Sequence, residues 1–101
     1  MRHQKERELI VEYGKKLITE NLTTGTGGNI SLYFPEENAL LISPSGIPYF
    51  ETTPEDIVLM DLQGNVLEGD RKPSSEYDLH SIFYANRSDV RSVVHTHSEY
   101  A

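Results

Sequence analysis

Turn-forming residues cut the stretch between positions 29 and 68 into short pieces. Pro35-Glu36-Glu37-Asn38, Pro44-Ser45-Gly46 and Gln63-Gly64-Asn65 leave apolar runs too brief for ordinary helices, so this part of the chain reads as strands joined by tight turns. In residues 29–34, Ile30, Leu32 and Phe34 alternate with polar or amphipathic neighbours, which predicts a strand with the apolar set facing inward. Residues 39–43 predict its hairpin partner, residues 57–62 a third strand and residues 66–68 its return. Thr53 followed by Pro54 predicts a single helical turn with Thr53 as N-cap. Helices flank this core. Leu9, Ile10, Tyr13, Leu17 and Ile18 recur at helical spacing within residues 4–20, with Lys and Glu on the other side. A second helix is predicted from Ser74 or Ser75 to about Asn86, burying Leu79, Ile82 and Phe83, and residues 90–96 predict a last strand. The order is that of an α+β or mixed α/β layer without repeats or linkers.

Composition narrows the function. The 101 residues carry 9 Lys plus Arg against 16 Asp plus Glu, a net charge of −7 spread along the chain. Such a surface repels a nucleic-acid backbone or an anionic membrane, so neither is an expected partner. Any phosphate must be held in a local pocket of N–H groups, hydroxyls or metal. No apolar run approaches the ~20 residues of a membrane helix. The chain has no cysteine, so it has neither disulfides nor thiolate metal sites, which fits a cytoplasmic location. A hydrophobic fraction of 37% is thin for an isolated domain, and the chain stops just after a strongly patterned strand. Both features predict a fragment of a larger fold.

Four motifs carry the chemistry. In His95-Thr96-His97, alternate residues of a strand share one face ~6–7 Å apart, so two imidazoles can converge on one metal ion; the alternative is a hydrogen-bonded pair near a strand end. Catalytic zinc needs three protein ligands and an open position. His3 near the terminus and His80 within the second helix are not evident candidates for the third. Pro73-Ser74-Ser75-Glu76 suits a helix start whose hydroxyls cap free N–H groups. The same groups can receive an oxyanion. Glu76 would sit in the first turn, with His80 its neighbour on the helix surface. Gly25-Thr26-Gly27-Gly28-Asn29-Ile30-Ser31 reads as an anion cradle or as a flexible turn. It follows a helix and leads into a strand, unlike a dinucleotide fingerprint, and it lacks the lysine of a Walker loop. Ile42-Ser43-Pro44-Ser45-Gly46-Ile47-Pro48 offers another hydroxyl and N–H pair, or a plain turn.

In this order the four motifs resemble the N-terminal half of a zinc-dependent class II aldolase of the aldolase/adducin family, nearest to its L-fuculose-phosphate aldolase members. The similarity covers essentially the whole chain. It implies an α/β fold, an α/β/α layered domain around a mostly antiparallel sheet, of which residues 1–101 are the N-terminal portion; the family usually assembles as a homotetramer. It implies a phosphorylated sugar as substrate, its phosphate held by Gly28, Asn29, Ser45, Gly46, Ser74 and Ser75. It further implies zinc bound by His95 and His97, with a third histidine from the family's C-terminal half, and Glu76 as the catalytic carboxylate. The implied reaction is aldol cleavage of a ketose 1-phosphate to dihydroxyacetone phosphate and an aldehyde. Zinc would stabilise the enediolate, and Glu76 would shuttle its proton. Related pentulose-phosphate 4-epimerases carry Asp where this chain has Glu76, which favours the aldolase. His95-Thr96-His97-Ser98 also occurs in epimerases and dehydratases, so these remain alternatives. So does an inactive fragment serving as a binding or assembly module, since the third zinc histidine and the family's C-terminal tyrosine are missing here.

Overall fold

Ala39-Leu40-Leu41-Ile42 is apolar at every position, and a strand of that kind needs cover on both faces. The computed structural model describes residues 2–20, 28–87 and 89–95. Its strands are β1 (Asn29–Phe34), β2 (Ala39–Ile42), β3 (Val58–Asp61), β4 (Val66–Glu68) and β5 (Ser92–His95). They form one sheet in the order β4-β3-β2-β1-β5, antiparallel at every pairing. Central β2 is fully buried along its length. Pro54–Asp56 forms the expected single turn, a 3-10 helix after Thr53, whose N–H is accepted by Asp56 Oδ2 at 2.9 Å.

One helix covers each face. On the first, Ile10 and Val11 of α1 (Gln4–Thr19) pack with Ile30, Ala39, Leu41, Ile57, Leu59 and Tyr49. Leu32 and Phe34 extend this cluster, so the inward set expected for β1 does face it. On the second face, Tyr84 of α2 (Tyr77–Asn86) joins Leu40, Ile42, Val58 and Met60. The result is the α/β/α layering around an antiparallel sheet. No helix among the described residues is long and apolar enough to cross a membrane.

The helix faces differ from those expected, in part for α1 and fully for the apolar set of α2. α1 keeps Ile10, Leu17 and Ile18 of the expected stripe against the core, but Leu9 and Tyr13 are exposed and Arg7, Val11 and Gly14 are buried. Two contacts account for the difference. The Arg7 guanidinium, with no exposure, donates to Ile57 O at 2.5 Å, Pro54 O at 3.3 Å, Arg2 O at 2.7 Å and Glu68 Oε1 at 2.8 Å. A buried charge with that many acceptors ties α1 to the 3-10 turn, to the entry of β3 and to β4. Gly14 lies under the Tyr49 ring, where a Cβ would stand 2.0 Å from Cδ1. α2 begins at Tyr77 rather than at the serines, and it leaves Leu79, Ile82 and Phe83 38%, 59% and 44% exposed. Its buried residues are His80, Ser81 and Tyr84. The reason lies on β1, where Asn29 and Ser31 are buried on the face opposite Ile30. Buried polar groups require hydrogen-bond partners, and α2 supplies them.

Gly14→Ala tests the packing of α1. Alanine is the better helix former by about 1 kcal/mol, but its methyl group would overlap a ring that is only 3% exposed. The expected outcome is a net loss of about 1–3 kcal/mol, read as a lower urea midpoint; an unchanged or raised midpoint contradicts the contact.

Candidate active site

Antiparallel pairing brings the start of β1, the end of β2 and the end of β5 to one end of the sheet. Asn29 lies opposite His95 in the β1–β5 register. Beyond β2, Ser43 N–H donates to Ile30 O at 3.0 Å and Ser43 Oγ accepts Ile30 N–H at 3.2 Å. Here two loops with the same Pro-Ser pattern clasp each other. Pro44 and Pro73 form an isolated antiparallel bridge, closed by Ser45 N–H to Lys72 O at 2.9 Å and Ser74 N–H to Ser43 O at 3.0 Å. Proline lacks an N–H, so the serines that follow supply both donors. Gly46 has φ +75° with open space around the position of a Cβ; its glycine serves backbone conformation and not room. Gly28, the residue before β1, also has positive φ, and its carbonyl accepts Tyr49 Oη at 3.5 Å.

Glu76 is the residue immediately before α2, not a member of its first turn. Its N–H donates to Ser74 Oγ at 3.3 Å. Its carboxylate spans two partners: Oε1 accepts Asn29 Nδ2 at 3.0 Å, and Oε2 lies 2.6 Å from His95 Nδ1. Gly28, Asn29, Ser45, Gly46, Ser74, Ser75, Glu76 and His95 therefore gather at one corner, with Ser45, Gly46 and Ser75 exposed and Ser74 buried.

His97 lies outside the described residues, as do Gly25, Thr26 and Gly27. Among the described residues no group of three or more His, Cys, Asp or Glu side chains could hold a metal ion. His95 alone nonetheless suits a ligand's role. A neutral imidazole with Nδ1–H toward a carboxylate carries its lone pair on Nε2, the arrangement usual for metal-binding histidines.

Sequence reasoning missed three residues of this corner. His80, placed on the helix surface by its spacing, is fully buried. Its Nε2 contacts Asn29 Oδ1, and its Nδ1 lies 2.6 Å from Ser31 Oγ. Ser31 Oγ in turn lies 2.6 Å from Tyr84 Oη. The spacing Glu76, His80, Tyr84 places these residues on one helical face, and Asn29 and Ser31 share a strand face; that double match was the available signal. Burial, reinforced by His95 and opposed by Glu76, pushes His80 down to about 4. Burial also pushes Tyr84 up to about 12, against its hydrogen bonds with Ser31 and the Val93 backbone.

The family model described as Class II Aldolase and Adducin N-terminal domain matches residues 8–101, and the chain belongs to this family. A 5-deoxy-D-ribulose 1-phosphate aldolase from Bacillus thuringiensis serovar kurstaki is 59% identical over 98 residues, which cover 97% of this chain and 46% of that protein. A probable L-ribulose-5-phosphate 4-epimerase from Mycoplasma pneumoniae is 34% identical over 96 residues, covering 94% of this chain and 40% of the other. A solved structure named L-fuculose 1-phosphate aldolase superposes with a TM-score of 0.89 at 47% identity, covering 93% of this chain and 44% of that one. The chain thus spans a little under half the length of these relatives.

The depressed His80 makes stability depend on pH. The unfolded chain, with a histidine near 6.5, binds the proton more readily than the folded one, near 4. Stability is therefore full above about pH 6.5 and is lost as pH falls toward about 4, by an amount on the order of 3 kcal/mol. Urea midpoints measured across that window should fall with pH in the native sequence and flatten in His80→Gln. An equal slope in both contradicts the assignment.

Proposed function

We propose that residues 1–101 form the N-terminal portion of a class II aldolase that cleaves a ketose 1-phosphate to dihydroxyacetone phosphate and an aldehyde. The observation that carries this reading is the Glu76 carboxylate, held between the Asn29 amide and the His95 imidazole beside the two clasped loops. Of the substrates in the relatives' names, 5-deoxy-D-ribulose 1-phosphate is taken first, because that relative shares 59% identity. Cleavage between its C3 and C4 releases acetaldehyde; L-fuculose 1-phosphate is the next candidate.

The phosphate is assigned to Gly28, Asn29, Ser45, Gly46, Ser74 and Ser75. With the N–H groups of Ser45 and Ser74 engaged in the clasp, these two residues would reach it through their hydroxyls. Gly46 and Ser75 follow them in the chain and would contribute N–H groups. Binding energy from the phosphate, remote from the breaking bond, orients the sugar. His95 and His97 are assigned to zinc together with a histidine outside residues 1–101. Zinc, when bound, supplies Lewis-acid polarisation of the ketose carbonyl. As the C3–C4 bond breaks, the C4 hydroxyl gives its proton to a base outside residues 1–101 and C3 takes one up. Glu76 is assigned to deliver the proton to C3 and, in the reverse direction, to remove it.

The epimerase relative supports a second reading on the same pockets. Glu rather than Asp at position 76 favours the aldolase. Aldehyde release from 5-deoxy-D-ribulose 1-phosphate and L-fuculose 1-phosphate, assayed beside epimerisation of ribulose 5-phosphate, decides between them.

The role of Glu76 is tested in the full-length protein by deuterium uptake into dihydroxyacetone phosphate. Glu76→Gln is expected to slow exchange by at least about a hundredfold, with zinc content unchanged. Exchange at the native rate in a zinc-loaded variant overturns the assignment.

A further inference from the structure

We propose that His80 is a positioning residue that fixes which way the Asn29 amide points, and through it the setting of Glu76. This deepens the reading of Glu76 as the acting carboxylate and rests on it. An ionised carboxylate only accepts hydrogen bonds, so the Asn29 group at Glu76 Oε1 is the Nδ2 amine. The opposite side of that amide is then Oδ1, also an acceptor, and it meets His80 Nε2. His80 Nε2 must therefore carry a hydrogen. Burial holds the ring neutral, so Nδ1 bears a lone pair and takes its hydrogen bond from Ser31 Oγ. Ser31 has then given its only hydrogen and receives one from Tyr84 Oη. Every donor in the series Tyr84, Ser31, His80, Asn29 points toward Glu76.

The direction matters because an amide has two sides of opposite polarity. Were Asn29 turned over, Oδ1 would face Glu76 and Nδ2 would face the Nε2 hydrogen of His80. Both contacts would be repulsive. Asn29 alone has no preference between the two settings; Glu76 on one side and the His80 tautomer on the other select the same one. That tautomer is in turn chosen by a serine and a tyrosine that do not reach Glu76. His80 is 0% exposed and Ser31 is 0% exposed, so water does not compete for these hydrogens. The β1–β5 register sets Asn29 opposite His95. The same amide setting therefore keeps Glu76 Oε1 occupied while Oε2 stays on His95.

The test uses the full-length protein. In a long-range proton–nitrogen spectrum of histidine-labelled protein near neutral pH, His80 is expected as the neutral Nε2–H tautomer. An Nδ1–H tautomer or an imidazolium overturns the proposal. For turnover, His80→Leu is expected to lower kcat about 10- to 100-fold. His80→Gln, whose amide can present a hydrogen near the place of Nε2, should recover most of that loss. Equal losses in the two folded variants overturn it. If His80→Leu does not fold, Tyr84→Phe takes its place: it keeps the ring and removes the last donor, and the His80 tautomer is expected to become mixed. An unmixed tautomer there overturns the proposed chain. Native deuterium exchange in Glu76→Gln would remove the role given to Glu76, whereas the tautomer measurement judges His80 whichever way that comes out.

Discussion

Slipping β1 by one residue against its neighbours would send Asn29 and Ser31 into the apolar layer under α1 and set Ile30 against the polar groups of His80 and Tyr84 on α2. That register is the constraint on which both helices and the candidate site depend. It holds because each face of the strand is specified separately. Ile30 joins the aliphatic cluster with Ile10, Leu41 and Leu59. Asn29 and Ser31 are committed to His80, Glu76 and Tyr84 on the other side. Apolar burial alone tolerates small shifts, whereas a buried amide and hydroxyl do not: displaced, they would lose partners and cost about 1–3 kcal/mol each.

The clasp between the Pro44 and Pro73 loops works by the same economy. Both loops leave the sheet region at the end that carries Asn29 and His95, and two hydrogen bonds hold them side by side. Because the clasp is made of backbone groups, it places Ser45, Gly46, Ser74 and Ser75 without using the side chains assigned to the phosphate. Hydroxyls and amides fixed in advance lose little freedom when an anion arrives, and their reorganisation adds little to the cost of binding.

The strands were legible because turn residues bracket them, and the structure keeps every one of the five with small changes at the ends. The layering followed from that order. The helix faces were legible only in part: Ile10, Leu17 and Ile18 of α1 do face the core, and the rest was hidden for opposite reasons. In α1 the inward positions go to an arginine and a glycine, which a count of apolar residues passes over. Their burial depends on carbonyls near position 57 and on a ring at position 49, both distant in sequence. In α2 three apolar side chains suggested an inward face, yet β1 offers polar groups there, and His80 and Tyr84 answer them. A histidine four residues after a glutamate reads as a surface neighbour until the strand beneath it is known. The gathering of Asn29, Glu76 and His95 was readable only through the order of motifs. No spacing within the chain specifies that residues 29, 76 and 95 will touch.

Both tight turns, at residues 35–38 and after Asp61, lie at the opposite end of the sheet, since Ala39 pairs with Asp61 and with Phe34. The chain thus separates the rim that carries Asn29 and His95 from the rim of tight turns, one strand length or roughly 13–20 Å apart. A dye, an affinity tag or an inserted peptide attached at the rim of turns would report on or immobilise the molecule while leaving the corner around Glu76 undisturbed.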